Sequence, residues 1–114
     1  EYSLLHYYRY RVVGRGIIRQ ADIPPARKAL EGLPVRAGDL ALLMKWQGCP
    51  PIDQCVIETI NHPTKFYGEG CRSFDNCGSA DGFATYILRR HDEEWQVLLD
   101  FYHPVFQGEF WNRK

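Results

Sequence analysis

The stretch FATYILRRHDEEWQVLLDFY, residues 83–102, decides the fold that we predict. Two runs rich in aromatic and β-branched residues, 83–90 and 95–102, flank the polar residues His91 to Glu94. Such residues favour strands, and a short polar connection between two of these runs is typical of a β-hairpin. The sequence therefore predicts an antiparallel sheet, built outward from this hairpin.

Further strands are predicted on the N-terminal side of the hairpin. Residues 39–47, DLALLMKWQ, form the most apolar run and indicate a central strand, with a helix as the alternative. Residues 56–60, VIETI, predict the next strand, and residues 48–55 then form the turn between the two. Residues 4–13, LLHYYRYRVV, predict the first strand. The glycines at 14 and 16 interrupt it, and Ile17 and Ile18 are expected to extend it beyond a bulge.

One short helix is predicted over residues 22–32. Asp22 or the two prolines that follow can open it, because proline is tolerated in the first helical turn, and Gly32 can end it. Its apolar side chains share a stripe that would lie on the sheet: Ile23, Ala26, Ala29 and Leu30.

These elements predict the α+β class, with an antiparallel sheet of about five strands and one short helix packed on one face. A chain of 114 residues suits one domain, residues 1–114. The order β-α-β-β-β-β resembles the cystatin-like architecture and, more distantly, the curved sheets of the NTF2-like group. The resemblance concerns topology alone, because residues 48–55 stand where cystatin inhibitors carry a Gln-x-Val-x-Gly loop.

The four cysteines are the sharpest chemical signal in the chain. Cys49, Cys55, Cys71 and Cys77 form an even set, which predicts two disulfides and a secreted or periplasmic location. Five residues separate each neighbouring pair, which is wide for a zinc site and unlike the Cys-X-X-Cys redox motif. Three connectivities remain open: the two neighbouring pairs, and two crossed alternatives.

Residues 61–82 form the predicted recognition loop. Four glycines, one proline and two cysteines in this stretch indicate a long loop, which in a compact domain is usually functional or pinned. We expect a binding module, such as an inhibitor, an immunity factor or a receptor-binding domain, that presents this loop to a protein partner. The expected contact residues are Phe66, Tyr67, Arg72 and Phe74.

Two other functions are weighed against the binding module. A small hydrolase or nuclease would use His62 or His103, with Lys45 or Glu58 nearby, because histidine titrates near neutral pH. Both histidines also precede prolines at the ends of predicted elements, which is the simpler explanation for them. An oligomer-forming domain would use the aromatic tail over residues 106–111.

Composition and motifs exclude several other classes. The net charge is zero, so nucleic-acid binding has little support, although the first strand combines tyrosines with Arg9 and Arg11. No apolar run is long enough to span a membrane as a helix, and no phosphate-binding or dinucleotide-binding motif occurs. We expect no cofactor and no metal, and we interpret Asp75 and Asp81 as solvated turn residues.

Overall fold

A computed structural model of the chain describes residues 9–23, 30, 32–61, 71 and 80–112. The strands and the α-helix follow in chain order: β1 (Arg9–Ile17), β2 (Leu40–Gln47), α1 (Asp53–Asn61), β3 (Asp81–His91) and β4 (Glu94–Phe101). Two short 3-10 helices accompany them, at Gln20–Asp22 and at Gly108–Asn112.

The four strands form one antiparallel sheet in the order β1-β2-β3-β4. The central strand β2 is buried on both faces, from Leu40 through Met44. A strand covered on both faces needs apolar side chains at successive positions, which is why this part of the sequence is the most apolar. The prediction of a central strand over residues 39–47 is therefore confirmed.

Helix α1 covers one face of the sheet, which we call the helix face. Val56 of α1 is fully buried against alternate residues of β2 and β3. The sheet residues in this cluster are Leu40, Leu42, Met44, Ala84, Tyr86 and Leu88. The Tyr86 hydroxyl donates a hydrogen bond to the carbonyl oxygen of Pro51 at 3.2 Å, which fixes the segment that leads into α1.

The opposite face, which we call the tail face, is covered by the last part of the chain. Phe106 and Phe110 stack with their ring centroids 3.8 Å apart and pack in one cluster with Ala41 and Ile87 of the sheet. The indole nitrogen of Trp111 donates to the Phe106 carbonyl oxygen at 2.8 Å. The aromatic residues between 106 and 111 thus fold back on the core of their own chain.

A partly buried ion pair fixes the connection between β1 and β2 to the sheet. Arg89 donates from both Nε and Nη2 to the Asp39 carboxylate, each at 2.8 Å, and Asp39 is 4 % exposed. The backbone amide of Arg36 donates to the same carboxylate at 2.9 Å, and Arg89 also reaches the Pro34 carbonyl oxygen. The hydrogen bonds to Asp39 raise the pKa of Arg89 further above its ordinary value. Such a two-point contact gives the connection a single geometry.

The predicted hairpin and the predicted bulge are confirmed. Strands β3 and β4 pair from Thr85 opposite Phe101 to His91 opposite Glu94. Only Asp92 and Glu93 form the turn, and both have positive φ angles, 51° and 69°, as the favoured two-residue hairpin turn requires. The register of β1 on β2 shifts between Val12 and Gly14.

The predicted strand over residues 56–60 is wrong, because these residues lie in helix α1. Cys55, Val56 and Thr59 are the buried residues, and positions i, i+1 and i+4 share one face of a helix. A strand here would place Glu58 on the same face as Val56. The β-branched side chains favour a strand locally, but their burial against the sheet selects a helix. This helix begins at Asp53, two residues after Pro51.

The α+β class with an antiparallel sheet is confirmed, whereas five strands and the cystatin-like order are not. The α-helix of the described part of the chain follows β2 rather than β1. Residues 20–22 form a 3-10 helix before the predicted helix over 22–32, of which residues 24–29 and 31 lie outside the described residues.

Replacing Gly16 with alanine is expected to lower the free energy of unfolding by about 1–3 kcal/mol. A Cβ atom at this position would lie 2.8 Å from a ring carbon of Phe110 and would also collide with the Phe110 carbonyl oxygen. Urea unfolding measures the change. Arg15→Ala, at the exposed neighbouring position in β1, is the control and should change stability by less than about 0.5 kcal/mol. Equal stability of the two variants would contradict the close packing of the tail on β1.

Candidate functional site

A disulfide joins the segment between α1 and β3, which includes the predicted recognition loop, to the core of the domain. Cys55 in α1 is bonded to Cys71, with the Cα atoms 5.8 Å apart and a sequence separation of 16. Cys49 is disulfide-bonded as well. The Cys55–Cys71 bond excludes the two connectivities in which Cys55 pairs with Cys49 or with Cys77.

Backbone hydrogen bonds support the same anchor. The Cys71 carbonyl oxygen accepts from the Ile52 amide at 3.0 Å, and the Ala80 carbonyl oxygen accepts from the Gly48 amide at 2.6 Å. The Tyr10 hydroxyl also lies 3.6 Å from the Cys71 sulfur. Cys49, Cys55 and Cys71 are all buried in one cluster. The chain between α1 and β3 is therefore held at Cys71 by Cys55 and Ile52, and at Ala80 by Gly48.

The predicted contact residues lie between these anchor points. Phe66, Tyr67, Arg72 and Phe74, together with His62 and Cys77, are outside the described residues. At the two ends of the predicted loop over 61–82, Asn61 is the last residue of α1, whereas Asp81 and Gly82 open β3.

The structure does not assemble the predicted histidine site around His103. His103 is exposed, its carbonyl oxygen accepts from the Thr85 hydroxyl at 2.7 Å, and its ring lies 5.8 Å from that of Phe101. Lys45 pairs with Asp81 at 3.4 Å, whereas Glu58 lies on α1, across the sheet. No His103 ion pair with a carboxylate and no group of three potential metal ligands occurs within the described ranges.

A cavity of about 230 Å³ lies where the segment before α1 meets the end of β4. It combines apolar and aromatic side chains with two carboxylates, and its lining is Pro50, Pro51, Ile52, Asp53, Tyr86, Asp100 and Tyr102. Ile52 is 39 % exposed and Tyr102 is 67 % exposed. The cavity is therefore open to solvent on the side of Ile52 and Tyr102.

The two carboxylates of this cavity repel each other. Partial burial raises the pKa of Asp53, and the negative charge of Asp100 raises it further. Asp53 also lies in the first turn of α1, where the helix dipole favours a negative charge. The pKa is raised in spite of that position, so the charge on Asp53 is incompletely compensated.

A second cavity, of about 330 Å³, lies further along α1, beside the β3–β4 hairpin. Its lining is Gln54, Ile57, Glu58, Arg90, Glu93, Glu94 and Trp95. The Arg90 guanidinium lies 5.7 Å from the centroid of the Trp95 ring, which makes it a cation–π pair. Both cavities thus lie between α1 and the β3–β4 hairpin, and three of the lining residues of the second are acidic.

Sequence reasoning missed both cavities. Asp53 and Asp100 are 47 positions apart, and no motif connects them. They meet only because residues 53–61 are helical and lie across the sheet next to β4. With residues 56–60 taken as a strand, no pattern in the chain brings the two carboxylates together.

Comparisons with protein-family models, curated proteins and solved structures found no match to this chain. Within the described ranges, no helix is long and apolar enough to cross a membrane. The geometry of the loop anchor and of the two cavities is therefore the basis on which a function can be proposed.

Removing the anchor by the double substitution Cys55→Ala and Cys71→Ala is expected to lower the free energy of unfolding by about 3 kcal/mol. A bridge that closes a loop of about 15 residues lowers the conformational entropy of the unfolded chain, and this stabilises the folded state by about that free energy. Urea unfolding under oxidising conditions measures the loss. Gln54→Ala, on the exposed side of α1, serves as the control for a substitution in the helix. An unchanged unfolding midpoint in the double variant would contradict a stabilising anchor.

Asp100→Asn is expected to stabilise the protein at neutral pH by at most about 1 kcal/mol, because solvent screens the pair. As the pKa of Asp53 is raised, the folded chain holds that proton after the unfolded chain has released it, so stability falls as pH rises from 3.8 through the raised pKa. Asp100→Asn makes this fall in stability smaller. The gain in stability disappears below pH 3.8, where Asp53 is protonated in both the folded and the unfolded chain.

Urea unfolding at a series of pH values between about 3 and 7 measures the effect of Asp100→Asn on the carboxyl titration. Asp92→Asn, at the exposed hairpin turn, removes the same charge away from the cavity and should leave the profile unchanged. A variant no more stable than the parent at neutral pH would show that Asp100 does not repel Asp53.

Proposed function

We propose that this protein is an exported, disulfide-stabilised binding module that presents residues 61–82 to a protein partner. It would serve as an inhibitor, an immunity factor or a receptor-binding domain. The observation that carries the proposal is the Cys55–Cys71 bond, which joins the middle of that segment to a helix packed on the sheet. Rigid scaffolds with long loops are where recognition residues concentrate.

The anchor matters for binding because ordering a loop opposes association. A connection of 19 residues, such as residues 62–80 between α1 and β3, loses conformational entropy if it becomes ordered only on docking, and this loss weakens the complex. Covalent attachment at Cys71, with the hydrogen bonds at Cys71 and Ala80, lowers that cost before the partner arrives. Arg72 follows the anchor directly, and Phe74 is three positions from it, so both begin from a fixed point.

Export is part of the proposal because the domain depends on oxidised cysteines. Cys49, Cys55 and Cys71 are disulfide-bonded, and such bonds persist in secreted and periplasmic proteins, whereas the cytosol keeps thiols reduced. A small hydrolase or nuclease is not proposed. Its candidate His103 has no carboxylate partner among the described residues, and His62 lies outside them.

A capture experiment tests the loop assignment. The wild-type protein and a variant carrying Phe66→Ala, Arg72→Ala and Phe74→Ala are immobilised and exposed to the secreted proteins of the source organism. Quantitative mass spectrometry compares the bound proteins. We expect at least one protein to be retained by the wild type and depleted about tenfold or more by the variant, because aromatic and arginine residues carry much of the energy of an interface.

The matched control carries Val13→Ala, Arg15→Ala and Phe83→Ala, which removes three exposed side chains of β1 and β3. This variant should capture as the wild type does. Equal capture by the wild type and the loop variant would end the assignment of the loop as the contact surface.

A further inference from the structure

We propose that the groove between α1 and the β3–β4 hairpin binds lysine or arginine side chains of a basic segment of the protein partner. This groove consists of the two cavities at either end of the α1–β4 contact. The inference rests on the proposed binding function and names the chemistry of the partner. It concerns a surface different from the loop itself.

The size of the groove favours side chains over a cofactor or a metabolite. The cavities measure about 230 and about 330 Å³, so the first is smaller than the usual range of small-molecule sites, about 300–1,000 Å³, and the second is close to the small end of that range. The segment Asp53–Gln54 lines both of them, one residue each, so the cavities follow one side of α1. Two shallow sites along one helix suit successive side chains of a chain laid against it.

Charge complementarity decides the sign of those side chains. Among the described lining residues are five carboxylates and one guanidinium, in a chain whose net charge is zero. The carboxylates are Asp53, Glu58, Glu93, Glu94 and Asp100. The guanidinium is that of Arg90, which lies against Trp95. A basic segment is steered to such a surface and an acidic one is rejected.

The charge on the Asp53 carboxylate is incompletely compensated in the free protein. Partial burial and Asp100 both hold its pKa above the ordinary value. An ammonium or guanidinium group placed between the two carboxylates would relieve the repulsion and satisfy the partly buried carboxylate at once. Lysine and arginine carry such a group on a long apolar stem.

The apolar lining suits that stem. Ile52 and Tyr102 are exposed beside the two carboxylates, and Trp95 and Ile57 are half-buried in the second cavity. Aliphatic stems pack on such side chains, and aromatic faces attract the charged end. Tyrosine and tryptophan are also enriched where proteins meet.

The groove adjoins the anchor of the recognition loop. The Ile52 amide, at the edge of the first cavity, donates to the carbonyl oxygen of Cys71 at 3.0 Å. Cys71, the anchor of the predicted loop, therefore lies next to the groove.

The test is a titration of the isotope-labelled protein with a hexalysine peptide, acetylated and amidated at its ends, followed by the amide signals in NMR spectra. We expect shifts at residues 52–58 and 93–102, with affinity about fivefold or more weaker in the Asp53→Asn, Asp100→Asn variant, because two exposed ion pairs are lost. The control variant, Asp81→Asn with Glu109→Gln, removes two exposed carboxylates away from the groove and should bind as the wild type does. Unchanged amide signals elsewhere show that each variant is folded.

The outcomes separate this inference from the proposed function. The inference is wrong if the Asp53→Asn, Asp100→Asn variant and the control variant lose affinity equally, or if the shifts lie outside the groove. This conclusion holds even where the loop captures a partner. Binding of calcium chloride with the same shifts would make a cation, not a protein segment, the occupant and would also overturn it. If the groove binds the peptide but the loop variant captures as the wild type does, the groove stands and the loop assignment falls.

Discussion

The burial of β2 on both faces is the constraint on which the rest of the fold depends. Every side chain from Leu40 to Met44 is buried, so each face of the sheet needs its own cover. Helix α1 supplies one cover through Val56, and the C-terminal aromatic residues supply the other. Helix α1 and the C-terminal aromatic residues come from different parts of the chain, and both pack on the same sheet. The ion pair of Asp39 with Arg89, at the edge of this core, fixes how the chain enters β2.

The parts of the fold that local pattern determines were predictable. The hairpin, the central strand and the bulge near Gly14 each follow from residue type at neighbouring positions. Helix α1 was not, because Val56, Ile57 and Ile60 favour a strand locally and only their packing on the sheet selects a helix. The cavity of Asp53 and Asp100 was missed for the same reason, since it exists only where α1 meets β4. The cysteines predicted disulfides. Which cysteines are paired depends on the position of α1, which the sequence did not predict.

Stability and charge are arranged differently on the two sides of the sheet. On the tail face the contacts are aromatic and closely packed, and the hydrogen-bonding group of Trp111 is satisfied. Beyond α1, by contrast, two carboxylates share a partly buried cavity, an arrangement that costs stability in the isolated protein. The disulfide at Cys55 holds α1, and with it Asp53, in place in spite of the repulsion.

The dependence of the tail face on residues 105–111 also sets the order in which the molecule can fold. Ile18, Ala41 and Ile87 have their final cover only when Phe106 and Phe110, which follow all four strands, are present. A nascent chain whose residues 105–111 are still inside the ribosome lacks this cover and cannot complete its core. Completion of the core must then await the emergence of these aromatic residues, which come after all four strands in the chain.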